Sequence, residues 1–307
     1  NRVDREYFAC VTKAFLESDD PKHCSYQPLP LYFNNIWDVP VFIRMIALGS
    51  SFWVMVESTR PDRLRNFSAH SQSLTGLMAS DYWSVETIVE DGHQYWRSLY
   101  RLDGRHIVVP IFVPIYQDAV LGKTLWQTIR EQYLQKRRWA WGVSDVPYVF
   151  EHNLRDRSMT FWEKWKQFFR LFEGHYSWST MSIVLAFGGW PPLLINAAYQ
   201  QTVLAYNFPL YYSKILSCAG IGMVVTLVIS SLVLPPPPAR YKHHKLILIR
   251  DMILTPILLP ITNVLLGALP AVDAQTRLIL GKYMDVFHVT VKTYVPPRVE
   301  SVDGKKA

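Results

Sequence analysis

The stretch Ile215-Leu-Ser-Cys-Ala-Gly-Ile-Gly-Met-Val-Val-Thr-Leu-Val-Ile-Ser-Ser-Leu-Val-Leu234 begins an uncharged run that extends to Ala239. A helix needs roughly 20 mostly apolar residues to cross a bilayer, because it rises about 1.5 Å per residue and must satisfy its own backbone there. A buried core helix is the alternative, but it is typically shorter. The run therefore predicts a transmembrane helix.

Two further runs lack Asp, Glu, Lys and Arg, one between Glu173 and Lys214 and the other from Met252 to Val272. The run after Glu173 contains Gly188-Gly-Trp-Pro-Pro192, and the run from Met252 carries Pro256 and Pro260, features that break or kink helices. All three runs are long enough to span a membrane, so residues 176–270 are predicted to form a transmembrane region.

Basic residues indicate the orientation of these spans. A cluster of positive and histidine residues follows the second run: Arg240, Lys242, His243, His244, Lys245 and Arg250. The loop Tyr199–Ser213 carries no positive charge. By the positive-inside rule, the cluster is cytoplasmic and that loop is outside. We therefore expect a multi-pass protein of the inner (plasma) membrane with residues 1–175 in the cytoplasm.

The formal net charge of +7 has two explanations, binding to nucleic acid or contact with an anionic membrane leaflet. Juxtamembrane loops account for the charge, so we expect the lipid bilayer as a partner and no nucleic acid. Just before the first run, the segment Phe161–Phe172 places aromatic residues at helical spacing opposite a mainly basic face. A buried core stripe is one interpretation; an amphipathic helix lying at the membrane surface, within residues 151–175, fits better.

The sequence of residues 1–175 predicts a mixture of α-helices and β-strands. A strand is expected over Tyr82–Val89, ending at the acidic pair Glu90-Asp91, followed by a helix over His93–Arg101. Arg105–Ile115 is expected to form an edge strand because it contains two prolines, and Gly122–Ala140 a further helix. Acidic residues at a strand end commonly mark a ligand site, although the pair could equally cap the helix.

The end of this last helix groups three polar and aromatic side chains. Gln135, Arg138 and Trp139 lie at i, i+3 and i+4 and so share one face. An amide, a guanidinium and an indole suit a hydroxyl, a phosphate and a sugar ring, respectively. A solvated basic helix end is the simpler alternative.

Together these motifs resemble the processive, membrane-embedded family-2 glycosyltransferases, which include cellulose, chitin and hyaluronan synthases. The resemblance rests on Glu90-Asp91, on Gln135-Lys-Arg-Arg-Trp139 and on Phe287-His-Val-Thr-Val-Lys292, which is similar to the gating loop of bacterial cellulose synthases. It implies an α/β fold, a partial GT-A-like glycosyltransferase domain, followed by interfacial and transmembrane α-helices. Residues 1–150 would be the C-terminal half of that cytoplasmic domain, and 271–307 an interfacial segment, the gating-like loop and a tail.

The resemblance also implies an activity: inverting transfer of a sugar from a nucleotide-diphosphate sugar to a glycan or lipid acceptor. Asp91, beside Glu90, would be the catalytic base. The expected substrate-binding residues are Gln135, Arg138, Trp139, Thr290 and Lys292. A divalent cation, Mg²⁺ or Mn²⁺, would be held mainly by residues outside this chain, so we expect no metal ligands here and no activity from this chain alone. Val89 stands where the family frequently has Thr.

The topology before the gating-like loop and the function of the chain each allow two interpretations. A third complete span would place the gating-like loop outside the cell, so either Leu246–Pro270 forms a re-entrant or interfacial hairpin that turns near Pro256 and Pro260, or the loop match is accidental. The hairpin is the preferred interpretation. The alternative function is a non-enzymatic membrane scaffold or transport component, for which Asp91 and Arg138 would be dispensable.

Overall fold

The computed structural model describes residues 2–188, 194, 196–238, 241 and 243–293. The protein is mostly helical, with one small four-stranded sheet. The strands are β1 (Arg2–Val3), β2 (Cys24–Leu31), β3 (Ser71–Gln72) and β4 (Ile107–Tyr116). The helices are α1 (Tyr7–Glu17), α2 (Val41–Ser58), α3 (Leu74–Ala79), α4 (Glu90–Arg101), α5 (Leu125–Ala140), α6 (Asp145–Arg155), α7 (Phe161–Phe187), α8 (Ala197–Gln200), α9 (Val203–Val233), α10 (His244–Asn263) and α11 (Leu269–Ile279).

The sheet has the order β1-β4-β2-β3, and its central pair, β2 and β4, is parallel. The two-residue strand β1 pairs only with Ile115 and Tyr116, so most of β4 has no strand on that side. Pro110 and Pro114 are therefore tolerated, because a proline nitrogen cannot donate to a neighbouring strand. The predicted extended segment is confirmed, but its predicted edge position is wrong, because β4 lies between β1 and β2 in the sheet, although β1 covers only its last two residues.

The predicted helices before and after β4 are also confirmed, as α4 and α5. The predicted strand over 82–89 is wrong, because this segment is a series of turns and bends. Asp81 and Tyr82 have φ values of 62° and 55°, which reverse the chain direction, and Val85 is 96% exposed. The acidic pair thus begins a helix and does not follow a strand.

The helix α7 joins two segments that the sequence separates. It begins at the cap Thr160, whose side chain and that of Glu163 form a reciprocal capping box, and it continues without interruption to Phe187. The predicted surface helix and the start of the first charge-poor run are therefore one element. Gly189–Pro192 of that run lies outside the described residues, as do Arg240 and Lys242 of the basic cluster.

Three helices in the described part of the chain are long and apolar enough to cross a membrane: Val41–Ser58, Val203–Val233 and His244–Ile279, with mean hydropathies of 1.4, 2.2 and 2.0. The second and third contain the predicted runs. The helix Val203–Val233 also takes in most of the predicted outside loop. The part of the first run that lies in α7 is not among the three. Helix α2 was missed because Arg44 and Glu57 interrupt its apolar pattern.

The predicted hairpin is wrong. The chain is helical from His244 to Ile279, through both prolines, with a π-helical segment at Val264–Ala268 joining α10 and α11. A π-helical segment adds a residue to a turn, which is one way in which a long helix absorbs a local disruption. Both parts of this long helix contact the first half of the chain: Asp251 pairs with Arg44 of α2, and Asp273 pairs with Arg137 of α5 at 2.9 Å. The following loop therefore reaches α5 without a hairpin.

The Arg44–Asp251 ion pair gives a stability prediction. The Arg44 side chain is 4% exposed and also donates to the carbonyls of Ile36, Trp37 and Val39. Asp251→Asn is expected to destabilise the protein by about 3 kcal/mol, because it leaves a buried guanidinium without its counter-charge. The unfolding midpoint in detergent, measured by circular dichroism, checks this.

The matched control is Glu17→Gln, which removes an exposed carboxylate from a surface pair with Lys13. Such pairs contribute little, so the control should unfold at the wild-type temperature. An equal midpoint for all three proteins would contradict the role given to Asp251.

Candidate functional site

Asp91 lies in the first turn of α4, where backbone amides hold its carboxylate. The Ser68 amide donates to Oδ2 at 2.5 Å, and the Gly92 amide donates to Oδ1 at 2.9 Å. Ser68 has a φ of 56°, an uncommon value for a residue with a side chain. Gln117 donates to its hydroxyl at 2.6 Å and so helps to fix this turn. The carboxylate is held in one orientation by the chain on both sides.

The guanidinium of Arg138 lies within electrostatic range of this carboxylate. Arg138 lies in the last turn of α5 and is partly buried, which lowers the pKa of its guanidinium, while the negative charges of Asp91 and Glu90 oppose the shift. The Phe287 ring covers the guanidinium at 4.3 Å. Among the described residues, its buried Nε has no hydrogen-bond partner. A buried donor without a partner is costly, so this one is available for a ligand.

Tyr32, just after β2, connects these groups. Burial raises the pKa of its hydroxyl strongly, and the charge of Asp91 adds to the shift while that of Arg138 opposes it. The neutral phenol therefore lies within electrostatic range of both. Its ring also packs against Trp139, with centroids 5.9 Å apart. Trp139 is partly buried against the hydrophobic core, so one side of the indole is already in use.

Gln135 does not join this group in the structure. Its side chain is 5% exposed, and its amide oxygen accepts from Gln132 at 3.4 Å. The helical spacing placed it correctly on the face of Arg138, but it lies in the protein interior. To contact a sugar directly, the Gln135 side chain would have to leave its buried position and its hydrogen bond with Gln132.

The gating-like segment docks on α5 and on the loop before it. The Lys292 backbone forms a parallel bridge with Leu121, and the Thr293 amide donates to the Leu121 carbonyl at 2.7 Å. Glu131, 3% exposed, accepts from His288 at 2.7 Å and from the Val291 amide at 3.3 Å. These contacts bring the segment to Arg138.

Two predicted residues of this segment lie at the site. Burial lowers the pKa of Lys292; Asp118 opposes the shift and Arg138 reinforces it. Its ammonium lies 5.9 Å from the centre of the Tyr32 ring. The hydroxyl of Thr290 is buried and has no partner among the residues that the structure describes. Two cations, Arg138 and Lys292, thus lie within electrostatic range of each other, and Arg138 is also within range of Asp91.

Sequence reasoning missed the groups that support these residues. Ser68 and Tyr32 carry no recognisable motif, and His288 fills a variable position of the loop pattern. His70 was also missed: it is partly buried, donates from Nδ1 to the Ser68 carbonyl at 3.3 Å, and has a pKa lowered by burial despite the nearby Asp91. Only the tertiary fold brings these residues to Asp91.

The expected divalent cation has no ligand set here. Within the described ranges, no group of three or more His, Cys, Asp or Glu side chains is placed to hold a metal ion. A guanidinium lies within electrostatic range of Glu90 and Asp91, and backbone amides donate to Asp91. These surroundings favour an anion or a hydroxyl group as the ligand over a cation.

Comparisons with family models, with curated proteins and with solved structures give no match for this chain. The geometry of the site indicates its chemistry. One fixed carboxylate, two desolvated cations and unpartnered polar atoms of Arg138 and Thr290 lie together. Such a set can bind an anionic ligand and remove a proton from a hydroxyl.

Glu131 allows a test of how the loop is held. Burial raises its pKa, but the bonds from His288 and Val291 outweigh this and leave the pKa below the ordinary value of 4.5. A lowered carboxylate pKa stabilises docking at neutral pH, and this contribution is lost as the pH falls through the lowered value. Protection of the Val291 amide from hydrogen exchange should therefore persist at pH 7 and fall below pH 4.5.

Glu131→Ala should abolish this protection at neutral pH and speed tryptic cleavage after Lys292. The control is Glu151→Gln, which alters an exposed surface pair with Arg155. Protection that is equal in the Glu131 variant and the wild type would show that the loop does not depend on this carboxylate.

Proposed function

We propose that this chain is part of a membrane-bound glycosyltransferase that moves a sugar from a nucleotide-diphosphate sugar to a polysaccharide or lipid-linked acceptor, with inversion. The observation that carries the proposal is the placement of Arg138: a partly buried guanidinium with an unpartnered Nε, in electrostatic contact with Asp91 and Glu90 and covered by Phe287. The three motifs of the resemblance therefore meet at one site.

The reaction assigns a role to each group. Asp91 accepts the proton as the acceptor hydroxyl attacks the anomeric carbon, and the bond between that carbon and the diphosphate oxygen breaks. Arg138 and Lys292 stabilise the negative charge that collects on the leaving diphosphate. Thr290 offers its unpartnered hydroxyl to the nucleotide, and the exposed part of Trp139 contacts the acceptor sugar. Gln135, which is buried and bonded to Gln132, is given no direct contact with the substrate.

The divalent cation and the membrane are the remaining parts of the proposal. No step is assigned to Mg²⁺ or Mn²⁺, because the described residues offer no ligand set for it. The apolar helices support association with a bilayer, and the basic cluster supports a cytoplasmic site at the inner membrane. A non-enzymatic scaffold remains the competing function, but it gives no reason for two desolvated cations beside a fixed carboxylate.

A donor panel tests the proposal. Membranes containing the full-length protein are supplied with individual nucleotide sugars and with magnesium or manganese, and release of nucleotide diphosphate is measured together with incorporation of labelled sugar. Release from one donor, coupled to incorporation, is the expected result. No release from any donor, by folded protein with acceptor membranes present, would favour the scaffold function.

A further inference from the structure

A cleft of about 630 Å³ is lined in part by Leu121 and does not include Asp91. It is bounded by the segment before α2, by the residues that lead into α5, and by α10. Trp37, Ile247 and Leu254 form apolar walls, and Lys123 and Arg250 lie at its polar rim. None of the residues proposed for catalysis lines it.

The charge of this cleft is mainly positive. Arg44, Lys123 and Arg250 line it together with one carboxylate, that of Asp38, which accepts a hydrogen bond from Tyr241 at 2.5 Å. Lys123 forms no ion pair within the described part of the chain. An anionic group would therefore find uncompensated positive charge at the rim.

The Asp251 carboxylate does not remove this excess. It is shared between two guanidinium groups, those of Arg44 and Arg250, and the latter bond is 2.7 Å long. The Arg250 side chain remains 53% exposed. One carboxylate thus serves two cations at the cleft, in addition to the unpaired ammonium of Lys123.

The walls indicate what kind of anion fits. Helices α2 and α10 both belong to segments that are long and apolar enough for a membrane. On α10, Ile253 and Ile257 beside the cleft are 64% and 62% exposed, so an apolar surface continues outward from it. A small hydrophilic anion would leave these surfaces uncovered. An anionic head group attached to acyl chains matches both the rim and the walls.

We propose that this cleft binds an anionic phospholipid of the surrounding bilayer, with its phosphate at Lys123 and Arg250 and its acyl chains along α10. The site also contacts the gating-like segment, because Leu121 lines the cleft and its backbone pairs with Lys292 and Thr293. Lipid in the cleft therefore stabilises the docked segment. This binding does not depend on the proposed sugar transfer.

The test uses the full-length protein in nanodiscs of phosphatidylcholine, with or without phosphatidylglycerol that carries a photoreactive acyl chain. Crosslinks are expected in peptides that contain residues 121–128 and 244–254. The double variant Lys123→Gln/Arg250→Gln should retain about thirtyfold less phosphatidylglycerol, since two basic groups near an anionic lipid are removed. Tryptic cleavage after Lys292 should be slower in discs with the anionic lipid, and this effect should disappear in the variant.

The control variant Lys13→Gln/Arg155→Gln removes two exposed charges away from the cleft and should behave as wild type. Circular dichroism establishes that each variant is folded. The proposal is overturned if a photoreactive phosphatidylcholine labels the same peptides equally, if the folded double variant retains the lipid, or if inorganic phosphate alone displaces the crosslink. None of these outcomes depends on finding a sugar donor.

Discussion

Asp91→Asn is expected to lower the rate of nucleotide diphosphate release by about 10²- to 10⁴-fold, the usual contribution of a positioned general base. Asparagine has nearly the same shape, and its single amide oxygen can keep one of the two hydrogen bonds that the amides of Ser68 and Gly92 donate to the two oxygens of Asp91. It cannot take a proton at neutral pH. The substitution therefore removes the proposed chemistry while it keeps the size of the side chain and one of its two bonds to the turn.

The control for this variant lies just beyond the other end of the same helix. Asp103 is exposed and has a φ of 53°, a conformation that asparagine adopts readily, so Asp103→Asn should keep full activity. The measurement is initial-rate kinetics with the donor identified by the panel. A loss in kcat with an unchanged donor KM is expected, because Asp91 acts on the acceptor. Equal activity of the two variants would remove Asp91 from the mechanism.

The local parts of this site could be predicted from the sequence. Helix α5 follows from its apolar periodicity, and with it the shared face of Gln135 and Arg138. The extended character of β4 follows from its β-branched residues. In these segments the local pattern and the tertiary environment favour the same structure.

Prediction failed where long-range contacts or backbone strain decide the structure. The segment 82–89 has strand-forming residues, yet positive φ angles at Asp81 and Tyr82 turn it away from the sheet. Helix α2 was hidden by Arg44, whose charge is compensated by a residue about two hundred positions later, Asp251. Burial of Tyr32 beside Asp91 depends on its packing against residues distant in sequence, such as Trp139 of α5, and has no local signal.

Arg138→Lys is the second substitution with a large expected effect, a loss of about 10²- to 10³-fold in kcat, by analogy with other single groups that stabilise transition-state charge. Lysine keeps one positive charge but replaces a planar group of five donors with a compact ammonium that cannot bind two phosphate oxygens in parallel. It also loses the flat contact with Phe287, which lies 4.3 Å from the guanidinium carbon.

Arg137→Lys is the matched control, because it makes the same chemical change at the preceding position. Arg137 points to a different partner, Asp273, at 2.9 Å, and a lysine can keep that ion pair. The control should therefore retain most of the activity. If both variants lost activity equally, the effect would belong to the stability of the helix end and not to the site.

The Arg138 variant also separates charge stabilisation from loop docking, since Phe287 would lose its cationic partner. If docking alone mattered, Arg138→Lys would raise the donor KM and the rate of tryptic cleavage after Lys292, as Glu131→Ala does, with little change in kcat. If Arg138 stabilises the leaving diphosphate, kcat falls while cleavage after Lys292 stays near the wild-type rate, because Glu131 and Leu121 still hold the segment. The ratio of these two effects measures how the guanidinium divides its role between the loop and the reacting phosphate.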